Sequence, residues 1–155
     1  MALACFWNLQ AAQAQILGDG RTEPWVEAET PLPSFPLERD LIPFYVSATT
    51  PNTFLVDGRT LGIGEDGVVR YVLLIRTPGG AENVSFEGVR CETLERRIYA
   101  IGRQGAWVSA RNSAWVPIVF NSYNRHQAAL AQEYLCDGPM PVKDVAEARR
   151  RLGLR

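Results

Sequence analysis

The chain of 155 residues contains one histidine and three cysteines, and its formal net charge is −1. Each scarcity excludes something. No apolar stretch approaches the roughly 20 residues that a helical membrane span requires, so no integral span is expected. General nucleic-acid binders carry a clustered basic excess, whereas here the arginines are dispersed apart from Arg149, Arg150 and Arg151. One histidine and separated cysteines offer no ligand spacing of the zinc kind. No metal or other cofactor is therefore expected.

What is present is ordinary for a globular chain: 46% hydrophobic and 21% charged residues, enough to build a core in one domain. The N-terminus reads MALACFWNLQAAQAQ, and Ala12-Gln13-Ala14 fits the A-x-A pattern of signal peptidase cleavage. No Lys or Arg precedes its short apolar run. Residues 1–14 thus read as the back half of a secretory signal peptide whose charged front is missing. An ordinary N-terminal tail is the plainer alternative. Cys5, in ALAC, makes a poor lipoprotein signal because nothing apolar precedes it. With the leader removed, Cys91 and Cys136 remain, and an even pair in an exported chain reads as a single disulfide.

Residues 15–40 form a Pro-rich N-terminal arm, extended because proline fixes φ and removes backbone donors, with Trp25 and Phe35 as anchors. Residues 41–155 form a single domain. Its clearest strand is VVRYVLLIR (68–76), which places Val69, Tyr71, Leu73 and Ile75 on one face. TPGG is a turn, and NVSFEGVRC is the next strand, where Gly88 marks a bulge or a close backbone approach. ERRIYAIG and AWVSAR form a hairpin of the longer type across Gly102 to Gly105. Trp115-Val-Pro-Ile is an edge or loop piece. After Phe120 the composition turns helical: NRHQAALAQEYL (124–135), then a helix opening at Pro141 with Val142, Val145, Ala146 and Leu152 on one side. Strands first and helices last predict an α+β fold, an antiparallel sheet of about five or six strands with one or two C-terminal helices packed on it.

Several motifs compete for function. Gly62, Gly64 and Gly67 match G-x-G-x-x-G, but a strand follows where a dinucleotide site needs a helix, so they read as hairpin glycines. Cys91 with His126 is the one thiol–imidazole pair on which a thiol-dependent enzyme can be built. A disulfide between Cys91 and Cys136 competes with it, closing a loop that joins a strand end to a helix end. Asp57, Glu65 and Asp66 form a possible acidic corner or plain solvated turns. Asn83-Val-Ser85 is a glycosylation triplet where the source glycosylates. Arg90, Arg96, Arg97, Arg103, Arg111 and Arg125 crowd the second half among Tyr99, Trp107, Trp115 and Tyr123. Such a face suits an anionic glycan or peptide, with Arg125, His126, Arg90 and Trp107 as candidate binding residues. The plainer reading pairs the arginines with Glu82, Glu87, Glu92 and Glu95 as sheet surface.

The segments FYVSA, GVVRY, NVSFEGVRC and NRHQAAL, set in order across residues 25–150, resemble the cryptic neisserial protein-like family of exported proteobacterial proteins. That resemblance implies export to the periplasm or cell envelope and no known reaction. More distantly, a Phe54-to-Asp57 strand, a cysteine ending a central strand and a second cysteine in a C-terminal helix are similar in layout to the surface-adhesin protein E family. This implies a curved antiparallel sheet carrying a helix, disulfide-linked, with a binding role. The expectation is an envelope protein that is a non-catalytic binding or structural module for a protein, peptide or glycan. The thiol enzyme of Cys91 and His126 is the alternative.

Overall fold

The computed structural model describes residues 24–121 and 125–153. The expectations for residues 1–14, Cys5 among them, and for Tyr123 and Asn124 lie outside the described residues. In chain order the described residues form β1 (Leu41–Phe44), β2 (Thr53–Asp57), β3 (Gly62–Ile63), β4 (Val68–Arg76), β5 (Glu82–Arg90), β6 (Glu95–Arg103), β7 (Ala106–Ser109) and β8 (Val116–Pro117). Then follow α1 (Arg125–Ala129), β9 (Cys136–Asp137), β10 (Met140–Pro141) and α2 (Val145–Gly153). The sheet is antiparallel and open, in the order β1-β2-β4-β5-β6-β7, with β3 added to β4 and β8 to β6. The fold is α+β, as the order of strand-like and helix-like segments predicts.

The run VVRYVLLIR is apolar on both faces, and the architecture answers that. On one face Val69, Tyr71 and Leu73 join Phe54, Val56, Val89, Leu130, Leu135 and Leu152 in the main core. On the other, Val72 and Leu74 pack with Leu55, Val84, Phe86 and Ala100. The helices cover the first face. Phe35 of the N-terminal arm, with Tyr99 and Trp107, covers the second. A strand buried on both faces requires cover on both, since an uncovered apolar face costs the burial it forgoes.

Glycines explain two close approaches. A Cβ on Gly88 would lie 2.7 Å from the Tyr99 hydroxyl, so close approach, not a bulge at Gly88, is its role. The bulge falls opposite, on β6: pairing jumps from Phe86↔Ala100 to Glu87↔Ile98, which turns both Tyr99 and Ala100 toward the arm. Gly102 is not a turn residue either. It sits in the β6–β7 ladder, where a Cβ would come within 2.9 Å of the Phe35 ring. The turn is the two-residue Gln104-Gly105, with φ of 51° and 75°. This is a primed hairpin turn, shorter than the loop expected from the spacing of the glycines.

The helical region also departs from expectation. Helix α1 widens after Ala129 into a π-helical segment, Leu130–Leu135, closed by the Cys136 N–H donating to Ala131 O. It buries Leu130, Ala131, Tyr134 and Leu135 against the sheet. Helix α2 begins at Val145, not Pro141. Asp144 caps it by accepting the Glu147 N–H at 2.8 Å, while Pro141 pairs with Cys136 in the small β9–β10 ribbon. Its inward positions are Val145, Ala148 and Leu152; Ala146 is exposed. Cys91, just past β5, and Cys136 form a buried disulfide with a Cα–Cα distance of 5.6 Å across 45 residues of chain. Closing a loop of that length contributes about 4 kcal/mol in the chain-entropy model.

Candidate functional site

Two features converge functional side chains, and the sheet separates them. The first is a cleft of ≈ 520 Å³ where α1 meets the β1–β2 loop and the open ends of β2, β4 and β5. Arg125 and His126 enter it from the first turn of α1, and Phe54 and Ile75 form its apolar floor. The imidazole lies nearly parallel to the Phe54 ring, with centroids 5.3 Å apart and planes 16° apart. Hydroxyl and amide groups of Ser47, Thr49, Thr50, Asn52, Thr77 and Asn83 line the walls. Among the described residues no carboxylate lines it, and Arg125 is its charged group. Burial and the positive charge of Arg96 hold the His126 pKa down at about 4. The ring is therefore neutral at physiological pH, with one nitrogen donating and the other accepting.

The second feature is the opposite face of the sheet, under the arm. Glu27 receives four side chains there. Tyr99 Oη donates to it at 2.6 Å, Trp115 Nε1 at 3.0 Å and Arg70 Nη2 at 3.5 Å, and Arg97 Nη1 makes a close ion pair. Burial tends to raise the Glu27 pKa, but the donors Tyr99, Trp115 and Arg97 outweigh it and leave the carboxyl below its ordinary value. Beside it Asp66 accepts from Arg70 Nη2 at 2.6 Å and from the Ala28 N–H at 2.8 Å. Against the cost of burial, those bonds and the Val68 N–H bring its pKa down to about 2. Trp25 donates to Asp66 O at 2.9 Å, and the Arg90 guanidinium lies 3.7 Å above its ring. Further along, Trp107 donates to Pro33 O at 2.7 Å and packs on Phe35 at 5.1 Å.

The residues expected to form one binding site are thus divided. Arg125 and His126 share the cleft, while Arg90 and Trp107 lie across the sheet, engaged by Trp25, Pro33 and Phe35. Alternation along the strands forces this, because Arg90 follows Val84 and Phe86 at period 2 onto the arm face. Cys91 is bonded to Cys136 and has no thiol to offer His126, which stacks on Phe54 instead. The thiol-enzyme alternative has no nucleophile in this structure. The acidic corner does not assemble: Asp57 caps its own turn through Arg59 N and Thr60 Oγ1, and Asp66 holds Arg70. Among the described residues no three His, Cys, Asp or Glu side chains come together in a metal-holding group.

The pairing of surface arginines with glutamates holds for Arg90, with Glu95 at 3.5 Å and Glu92 at 3.8 Å. It fails for Glu87, which is 3% exposed and accepts from Ser85 Oγ at 2.7 Å and Tyr71 Oη at 3.3 Å. Burial raises the Glu87 pKa against those bonds and the charge of Arg96, and raises that of Tyr71 far above its ordinary value. Glu27 went unnoticed in the sequence, and Phe54 stood there only as the start of a strand. One lies in a Pro/Glu/Thr-rich arm, the other in a strand, and only the tryptophan two residues before Glu27 distinguishes it from its neighbours.

The chain matches the CNP1-like family over residues 20–153. It is also 28% identical over 102 residues to Cryptic neisserial protein 1 of Neisseria gonorrhoeae (strain ATCC 700825 / FA 1090), a match covering 57% of this chain and 50% of that protein. The chain therefore spans about half the length of the curated relative it matches. No solved structure matches it. Among the described residues no helix is long and apolar enough to cross a membrane.

Proposed function

This chain belongs to the CNP1-like family, and on that premise we propose that it is an exported protein of the periplasm or cell envelope that binds an anionic glycan without transforming it. The reading of export is supported by the Cys91–Cys136 bridge, since such bonds persist in oxidising compartments. The reading of binding is carried by the cleft. Its chemistry suits a polyol bearing one negative group: a His126 ring backed by the buried Phe54, six hydroxyl or amide side chains for sugar hydroxyls, and one guanidinium. A guanidinium recognises carboxylate or phosphate oxygens in pairs. A neutral His126 adds both a donor and an acceptor.

The test is a panel of immobilised oligosaccharides, acidic and neutral, released from bacterial envelopes. The folded chain retains on acidic members, and Arg125→Ala weakens that retention by about tenfold, the loss expected when one charge-assisted contact is removed. Equal retention of Arg125→Ala, or no retention of either protein on any member, contradicts the proposal.

A further inference from the structure

The arm is bound to the sheet as an extended peptide is bound to a receptor. Among the described residues, no backbone–backbone hydrogen bond joins residues 24–36 to a strand. Each polar attachment uses a side chain on at least one side: Glu27 to Tyr99, Trp115, Arg97 and Arg70, the Ala28 N–H to Asp66 and Ala28 O from Arg70, Trp25 to Asp66 O, and Trp107 to Pro33 O. The attachments cluster at the two ends. Between them, Glu29 to Leu32 pass over a cavity of ≈ 470 Å³ floored by Ile63, Arg70 and Phe86. Leu32 is half exposed there.

The side chains that receive the arm are held by the sheet and the loops joined to it. Arg70, Arg90, Arg97, Tyr99, Trp107 and Trp115 belong to β4, β5, β6 and β7 and to the segment leading into β8, and the ladders that hold them pair with other strands of the sheet and not with the arm. Two guanidiniums, a hydroxyl and an indole N–H converge on one carboxylate, and a third guanidinium covers an indole. The ligand this surface selects is an extended segment with tryptophan two positions before a glutamate and an aromatic residue eight positions after it. Opposite charge fixes the first end, and ring packing on Trp107 fixes the second.

We propose that this face is an exchangeable peptide-binding site whose occupant is residues 25–35 of this chain, supplied either by the same chain or by a second copy. Each copy carries both the segment and the receptor. The link, Pro36 and Leu37, is short and holds no strand pairing, and exchange of an identical element between copies conserves every contact. The site lies across the sheet from the Arg125–His126 cleft, so it stands or falls independently of the proposed glycan binding.

Two full-length variants test it. Trp25→Ala with Glu27→Gln disables the arm and leaves the face; Arg97→Met with Trp115→Phe disables the face and leaves the arm. Circular dichroism and a retained thermal transition establish that each is folded; Glu27→Gln alone replaces the first pair where it is not. Each variant sediments alone as a monomer, and their equimolar mixture forms a one-to-one dimer at tens of micromolar. A mixture of folded variants that sediments as two monomers at several hundred micromolar overturns the proposal. In parallel, a synthetic peptide of residues 24–36 binds the arm-disabled chain and shifts its tryptophan fluorescence, and a peptide with glutamine at position 27 binds about tenfold more weakly. Equal binding by the two peptides also overturns it, because the carboxylate would then not be what the face reads.

Discussion

The Tyr99 hydroxyl donates to Glu27 Oε1 at 2.6 Å across 72 residues of chain. Tyr99 follows Arg97 at period 2 onto the arm face, and the contact depends on Gly88, whose missing Cβ makes room for the phenol. A missing side chain in one strand thereby helps fix where a distant segment can attach. The same attachment supplies the second cover for a central strand with apolar residues on both faces.

Glu27→Ala leaves two guanidiniums, an indole and a phenol without their shared acceptor, and all four groups are at most partly exposed. Removing one partner of a buried charged network costs about 1–3 kcal/mol. Urea unfolding reads this as a lower midpoint at unchanged slope. Tyr99→Phe removes one donor, and its loss is about 1 kcal/mol. A Glu27→Ala midpoint equal to wild type would show that the arm contributes nothing to the folded sheet.

The Cys91–Cys136 bridge predicts no alkylation of either cysteine in the native chain without reductant, read by mass spectrometry of the modified protein. The double variant Cys91→Ser with Cys136→Ser loses about 4 kcal/mol by the loop-closure argument. Both cysteines reacting with iodoacetamide before reduction would remove the bridge and with it the support for an oxidising compartment.

Glu87 sits buried between Ser85 and Tyr71 with its pKa raised. A raised folded-state pKa contributes stability that is complete below the unfolded value near 4.5 and is lost as pH rises through the folded value. Glu87→Gln keeps the shape and an acceptor for Ser85 and removes the titration. The variant's stability relative to wild type therefore increases as pH rises from 4 toward neutrality, measured by unfolding at several pH values. A pH-independent difference would place Glu87 in a wetter site than the fold gives it.

How legible was this in the chain? The sheet was, because β4 and β5 carry period-2 patterns bounded by strong turn residues, and the helices followed from a change in composition. The disulfide partners were legible by counting. The start of α2 was not: Pro141 looks like a first-turn proline, and only the Asp144 side chain on the Glu147 N–H marks the true cap. The π-helical turn at Leu130–Leu135 has no local signature, because tertiary burial of Tyr134 and Leu135 sets it. The binding residues were half legible. Arg and Trp identities stood out, but the arm-side partner Glu27 is one of several acids in a Pro-rich segment, and strand alternation placed Arg90 and Trp107 away from Arg125 and His126.

His126 is the single histidine of the chain, so its ring resonances are unambiguous. Its folded pKa of about 4 lies below the ordinary 6.5 because burial and Arg96 disfavour the charged form. Stability from this group is complete above pH 6.5 and is lost as pH falls toward 4, by on the order of 3 kcal/mol. A ring that titrates near 6.5 in the folded chain would mean that it does not lie against Phe54 as the structure has it.

The most direct measurement of the central claim follows the same resonances at pH 7 while an acidic oligosaccharide that the chain retains is added. The account predicts saturable shifts at His126 and at the Asn52 and Asn83 side-chain amides, absent in Arg125→Ala at the same concentrations. Binding that leaves all three unmoved, or that moves them equally in Arg125→Ala, would contradict it.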